Sequence, residues 1–147
     1  MDKWINLIFL PLALLFGLIM PAQAASQDNI EEKIVYHFND SSVARAGLNN
    51  IRNHLEATGG KVKIVVVTHG PGIDFLLEGA QDKNGNPYNI TVEELSDKGV
   101  EFRVCNNTLK ARKIDPGQVL MNAKIVPSGV AEIGRLQSRE GYAYLKP

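Results

Sequence analysis

A second cysteine is missing from this sequence: Cys105 stands alone, so no internal disulfide can form and the fold must rest on its apolar core. Neither sign of charge is in excess, with 16 basic residues against 16 acidic ones. Losing Asp2 and Lys3 together would keep that balance, so no basic field is available to draw in nucleic acid and there is no acidic tail. No Gly-x-Ser-x-Gly elbow or Cys/His protease signature occurs, which argues against a self-contained serine or cysteine hydrolase. The His69-Gly70-Pro71-Gly72 segment lacks the spacing of a phosphate loop, and Pro71 removes an N–H donor. His37, His54, His69 and Cys105 show no metal-ligand spacing, so neither a metal nor a cofactor is expected.

Long apolar runs are also scarce, except at the start. Lys3 gives a short positive opening, Leu7 to Met20 is apolar apart from Pro11 and Gly17, and Ala22-Gln23-Ala24 places small residues where a signal peptidase reads. The run falls short of the ~20 apolar residues of a comfortable membrane span. These features predict a signal peptide over residues 1–24, cleaved after Ala24, and a mature chain from Ala25 that is periplasmic or secreted and not membrane-bound. The alternative is an uncleaved anchor. Residues 25–147 suffice for one domain, since domains usually hold ~100–150 residues.

Within that domain, short apolar runs alternate with helical patterns, as in βαβ units around a largely parallel sheet. Strands are expected at Lys33–Asn39, Val62–Thr68, Val100–Cys105, Ala123–Pro127 and Tyr142–Leu145. Ile64-Val65-Val66-Val67 shows no polar alternation, so both faces of that strand should be covered. A helix is expected over Ser42–Thr58, with Ala44, Leu48, Ile51 and Leu55 on one face and Gly59-Gly60 ending it. A short helix should carry Ile73, Leu76, Leu77 and Ala80, followed by a loop at Lys83–Pro87. Thr91 and Glu94 form a capping-box pattern, with Ile90 and Leu95 as a hydrophobic staple, so a helix should begin at Val92 and stop near Gly99. A polar helix is expected at Thr108–Lys113, and Ser128 should cap a last helix whose inner face is Val130, Ile133 and Leu136, closed by Gly141.

Ligands of open α/β sheets collect at the carboxyl ends of the strands. Asn39, His69, Cys105 and Ser128 all fall there. Cys105 precedes Asn106-Asn107-Thr108, residues that cap helices, and then Lys110, Arg112 and Lys113. Helix N–H groups and cations both favour thiolate, the nucleophilic form of cysteine. Strand parity puts Cys105 on the polar face with Glu101 and Arg103, opposite Val100, Phe102 and Val104. The plainer reading of Cys105 is a small hydrophobe filling a strand end. His69 shares the rim and is a candidate to orient a substrate or assist proton transfer, or else a turn residue. His54 is expected at the surface and His37 half-buried. Asn39, Asn89 and Asn106 each begin a glycosylation sequon, relevant only in a host that glycosylates.

The segments Val104–Arg112, Val126–Glu132 and Glu140–Pro147, with the His69–Gly72 turn after a valine-rich strand, resemble the DsrE/DsrF-like family over nearly the whole mature domain. That resemblance implies a three-layer α/β/α domain with a mostly parallel, about five-stranded sheet, assembled as a dimer, trimer or hexamer. It also implies sulfur relay, in which a cysteine matched by Cys105 carries sulfane sulfur as a persulfide between a donor and an acceptor. On that expectation Lys110 and Arg112 would stabilise the anion, Asn106, Asn107 and Thr108 would offer backbone donors, and His69 and Ser128 would line the substrate side. Relatives of that kind work in the cytoplasm, whereas the leader here implies export, which leaves donor and acceptor open. The rival expectation is a non-enzymatic oligomer binding a small anion or metabolite at the same rim, with Cys105 structural, and a third is a subunit that regulates a partner.

Overall fold

The computed structural model describes residues 32–147; the leader expected over 1–24 and the mature start at Ala25 lie outside the described residues. Five strands form one wholly parallel sheet: β1 (Glu32–Phe38), β2 (Val62–Thr68), β3 (Glu101–Cys105), β4 (Ala123–Val126) and β5 (Ala143–Leu145), in the order β4-β3-β2-β1-β5. The β-branched run of β2 lies at the centre, and both its faces are buried, as its lack of alternation predicts.

Direction of travel decides which face each helix covers. From β1 to β4 the chain steps one way across the sheet, and right-handed crossovers then put α1 (Ala44–Ala57), α2 (Asn89–Asp97) and α3 (Asn106–Arg112) on one face. From β4 it must return to β5, so α4 (Gly129–Glu140) crosses the opposite face alone. Two cores follow. Ile34, Tyr36, Phe38, Ile64 and Val66 pack against Leu48, Ile51, Leu55, Val92, Leu95 and Leu109, while Val35, Val65 and Val67 pack against Ile133, Leu136 and Tyr142. Leu48 and Ile51 are fully buried, each stabilising the fold by roughly 1.5–3 kcal/mol relative to exposure.

Local detail departs from the sequence reading where tertiary contacts compete with local ones. The helix expected from Val92 begins at Asn89, and no capping box forms. Thr91 Oγ1 instead accepts from Arg45 Nη1 at 3.0 Å, and Glu94 binds Arg52 at 2.8 Å and Lys98 at 2.8 Å. Ile90 is therefore an exposed helical residue and not a staple. Val130 does not belong to the inner face of α4: it is exposed, and the buried stripe is Gly129, Ile133 and Leu136, because the helix meets the sheet through Gly129. The turn after β2 is a 3₁₀ helix over Gly70–Leu76. His54 is half-buried, with Nδ1 3.0 Å from the Tyr36 hydroxyl.

Candidate functional site

Between β3 and β4 the chain changes face: β3 leads into α3 on one side of the sheet and β4 leads into α4 on the other. Cys105 is the last residue of β3, registered beside Val126 of β4, so it sits at this change of face, where ligands of open α/β sheets collect, between the first turns of two helices. Strand parity holds, because Cys105 shares the α4 side with Arg103. Yet only 5 % of the residue is exposed.

Burial alone would push the Cys105 thiol up. It is outweighed by the neighbouring N–H of Gly129, the hydroxyl and N–H of Thr108 and the N–H of Asn107, so the thiol is held below its ordinary range. Cys105 itself is the N-cap residue of α3, and no side-chain cap bond closes there; the donors act chiefly on the anion. The Gly129 N–H opens α4, one of the amides a helix leaves without an internal partner, and it carries the positive end of the helix dipole. Thr108 is fixed in turn, since its Oγ1 accepts from Gly70 N at 2.9 Å. Gly70 donates that bond with φ 55°, a conformation few other residues adopt.

Gly129 is small for a packing reason. A methyl group there would lie 3.1 Å from the Thr68 carbonyl oxygen and 3.2 Å from both Cys105 Cβ and His69 Cβ. Glycine thus lets the α4 terminus seat between Cys105 and His69. Salt bridges hold it down. Arg103 Nη2 meets Glu101 at 2.8 Å and Nη1 binds Glu132, while Glu132 also accepts from Arg135 Nη2 at 2.8 Å. Arg103 and Glu132 are largely buried, and hydrogen bonds from Arg135 and Arg103 keep the Glu132 carboxyl below its usual range.

The anionic form of Cys105 therefore draws on neutral donors and not on the cations expected from the sequence. Arg112 lies in the last turn of α3 and is engaged by Asp74 and by the Gly70 carbonyl at 3.4 Å. Lys110 is exposed in the same turn. Asn106, Asn107 and Thr108 form the first turn of α3 and do not cap it, so their contribution is backbone and, for Thr108, a hydroxyl. Ser128 caps α4 as expected, its Oγ accepting from Ala131 N at 3.4 Å. His69 Nε2 lies 2.7 Å from His37 Nε2, and His37 Nδ1 lies 2.6 Å from the Tyr144 hydroxyl. Gly129, Arg103, His37 and Tyr144 were not singled out by sequence as site residues; only their shared strand-end position and the side of the sheet they face could have grouped them.

A separate cavity of about 520 Å³ opens beyond the ends of β1 and β2, lined by Asp40, Arg45, Asp74, Asp82 and Tyr88 among others. Its carboxylates are already engaged: Asp40 accepts from Ser42 N, Asp82 from Arg45, and Asp74 from Arg112. Among the described residues, no group of three or more His, Cys, Asp and Glu is arranged to hold a metal ion, and no helix is long and apolar enough to cross a membrane.

Comparison with known proteins agrees with the architecture. The model of the DsrE/DsrF-like family matches residues 23–147. The solved structure of MTH1491 from Methanobacterium thermoautotrophicum, described as a protein of unknown function, is 34% identical with a TM-score of 0.68, covering 79% of this chain and 99% of its own. The ychN protein of E. coli, at 12% identity and a TM-score of 0.62 over 80% of this chain and 100% of its own, shares the fold. No curated protein matches.

Proposed function

The chain belongs to the DsrE/DsrF-like family, and from that premise we propose that it handles sulfur, with Cys105 carrying sulfane sulfur as a persulfide. The Cys105 thiolate attacks the outer sulfur of a donor, the donor's S–S bond breaks, and a new S–S bond forms on Sγ. Such exchange proceeds through the thiolate, and the persulfide is reversible, as a carrier requires. The observation that carries the reading is the place of Cys105, at the end of β3 between the first turns of α3 and α4, where groups of Gly129, Thr108 and Asn107 hold the thiol below its ordinary range against burial. With no second cysteine in the sequence, the sulfur passes to another molecule or another subunit. The carrier is exported, works in the periplasm or outside the cell, and assembles as a homo-oligomer.

A second reading draws on the near-complete burial of Cys105: the same N–H groups hold a small anion and the thiol is packing. One measurement separates the two. Protein purified without reductant is incubated with polysulfide or thiosulfate and its intact mass is determined. A gain of one sulfur atom that disappears in Cys105→Ser supports the carrier; a gain that survives the substitution removes Cys105 from that role, and no gain favours the anion-binding module.

A further inference from the structure

Across the carboxyl edge of the sheet, on the face covered by α4, runs a chain of side chains from three strands. Tyr144 of β5 bonds His37 of β1, and His37 bonds His69 at the end of β2. The imidazole rings lie 4.7 Å apart and 28° from parallel, with Nε2 facing Nε2. The far end of the chain adjoins the sulfur site, since His69 Cβ and Cys105 Cβ are each 3.2 Å from the same point above Gly129. We propose that Tyr144, His37 and His69 form a proton-conducting array that delivers a proton to the thiolate expelled when Cys105 takes sulfur from a thiol-based hydropersulfide. The inference rests on the carrier reading of Cys105.

Two imidazoles whose Nε2 atoms are 2.7 Å apart must share one proton between those atoms. Burial first, then the proximity of His69 and of Lys146, keep His37 down at about 4, so it is neutral at neutral pH and serves as the middle link. His69 Nδ1 makes no hydrogen bond among the described residues, which leaves it to serve a ligand. Tyr144 is 39% exposed and meets solvent. The protons balance as follows. Cys105 thiolate attacks R–S–SH, giving Cys105–S–SH and R–S⁻, and R–S⁻ takes the proton of His69 Nδ1. His69 Nε2 recovers one from His37 Nε2, His37 Nδ1 takes one from the Tyr144 hydroxyl, and Tyr144 takes one from water. In-line displacement puts the leaving sulfur two S–S lengths, roughly 4 Å, beyond Sγ, the distance over which His69 Nδ1 has to reach it.

The test compares two reactions of the same sulfur. Loading from glutathione hydropersulfide expels a thiolate that needs a proton; alkylation by iodoacetamide expels iodide, which does not. Both are followed by quenched-flow mass spectrometry in the wild-type protein, His69→Gln, His37→Phe and Tyr144→Phe. The expectation is that His69→Gln loads roughly a hundredfold more slowly and Tyr144→Phe roughly tenfold, within the range of general-acid catalysis, while alkylation rates stay within about twofold. His37 and Tyr144 act through His69, so the ¹⁵N shifts of His69 must also report a changed tautomer in Tyr144→Phe. Equal slowing of both reactions, or unchanged loading, overturns the array while the carrier stands. If wild-type protein never loads, the carrier reading fails first and the array with it.

Discussion

Replacing Thr108 by valine tests the physical basis of the site most directly. The two side chains are nearly isosteric, but valine deletes the hydroxyl that helps to lower the Cys105 pKa and the acceptor that Gly70 N uses at 2.9 Å. A hydrogen bond to a charged group contributes about 1.5–3 kcal/mol. Taking the low end, because the N–H groups of Gly129, Thr108 and Asn107 remain, roughly a tenfold loss of thiolate at any pH well below the midpoint is expected. Nucleophilicity moves the other way: a more basic thiolate attacks faster, with a Brønsted slope of about 0.4–0.5. Iodoacetamide alkylation of Thr108→Val should thus be only about threefold slower at low pH and about threefold faster on the alkaline plateau, with the midpoint displaced upward. The stranded Gly70 N–H costs a further ~1–3 kcal/mol of fold stability, read separately by urea unfolding. A pH–rate profile that keeps the wild-type midpoint and plateau would refute the claim that these donors act on the anion.

Other expectations concern the frame. In Gly72→Ala the new methyl would overlap the Phe38 carbonyl, a backbone group with no room to yield, so urea unfolding should show a loss of about 3 kcal/mol or more. His37 is held at about 4 against an ordinary 6.5, by burial first and then by His69 and Lys146. The unfolded chain therefore binds its proton at higher pH than the native one. His37 contributes its full stability above pH 6.5 and loses it as pH falls toward 4, and His37→Phe should flatten the urea midpoint across that window; an unchanged slope would contradict it. Intact-mass analysis of exported protein should find a chain starting at Ala25, and a mass that retains Met1 to Ala24 would instead indicate the anchor.

Much of the architecture was legible because it follows from periodicity. Ala44, Leu48, Ile51 and Leu55 repeat at helical spacing and are all buried on α1, and the unbroken apolar run of β2 marks a strand covered on both sides. The same local reasoning failed at Thr91 and Glu94, where Arg45 and Arg52 arrive from α1 and take the oxygens a capping box would use. It failed again for Lys110 and Arg112. Nearness in sequence places them one to two turns along α3, whereas the groups acting on Cys105 include Gly129, which is 24 residues away in the numbering.

The sequence by itself determined the elements, the parallel class of the sheet and the strand-end position of Cys105, because hydrophobic period and turn residues act within a few neighbours. Only the tertiary structure decided what surrounds the sulfur. The return from β4 to β5 carries α4 onto the opposite face, the Arg103–Glu132 salt bridge seats it there, and the absence of a side chain at Gly129 lets its first amide reach Cys105 beside His69. Such contacts join residues far apart in the chain through handedness and close packing, which no local pattern encodes.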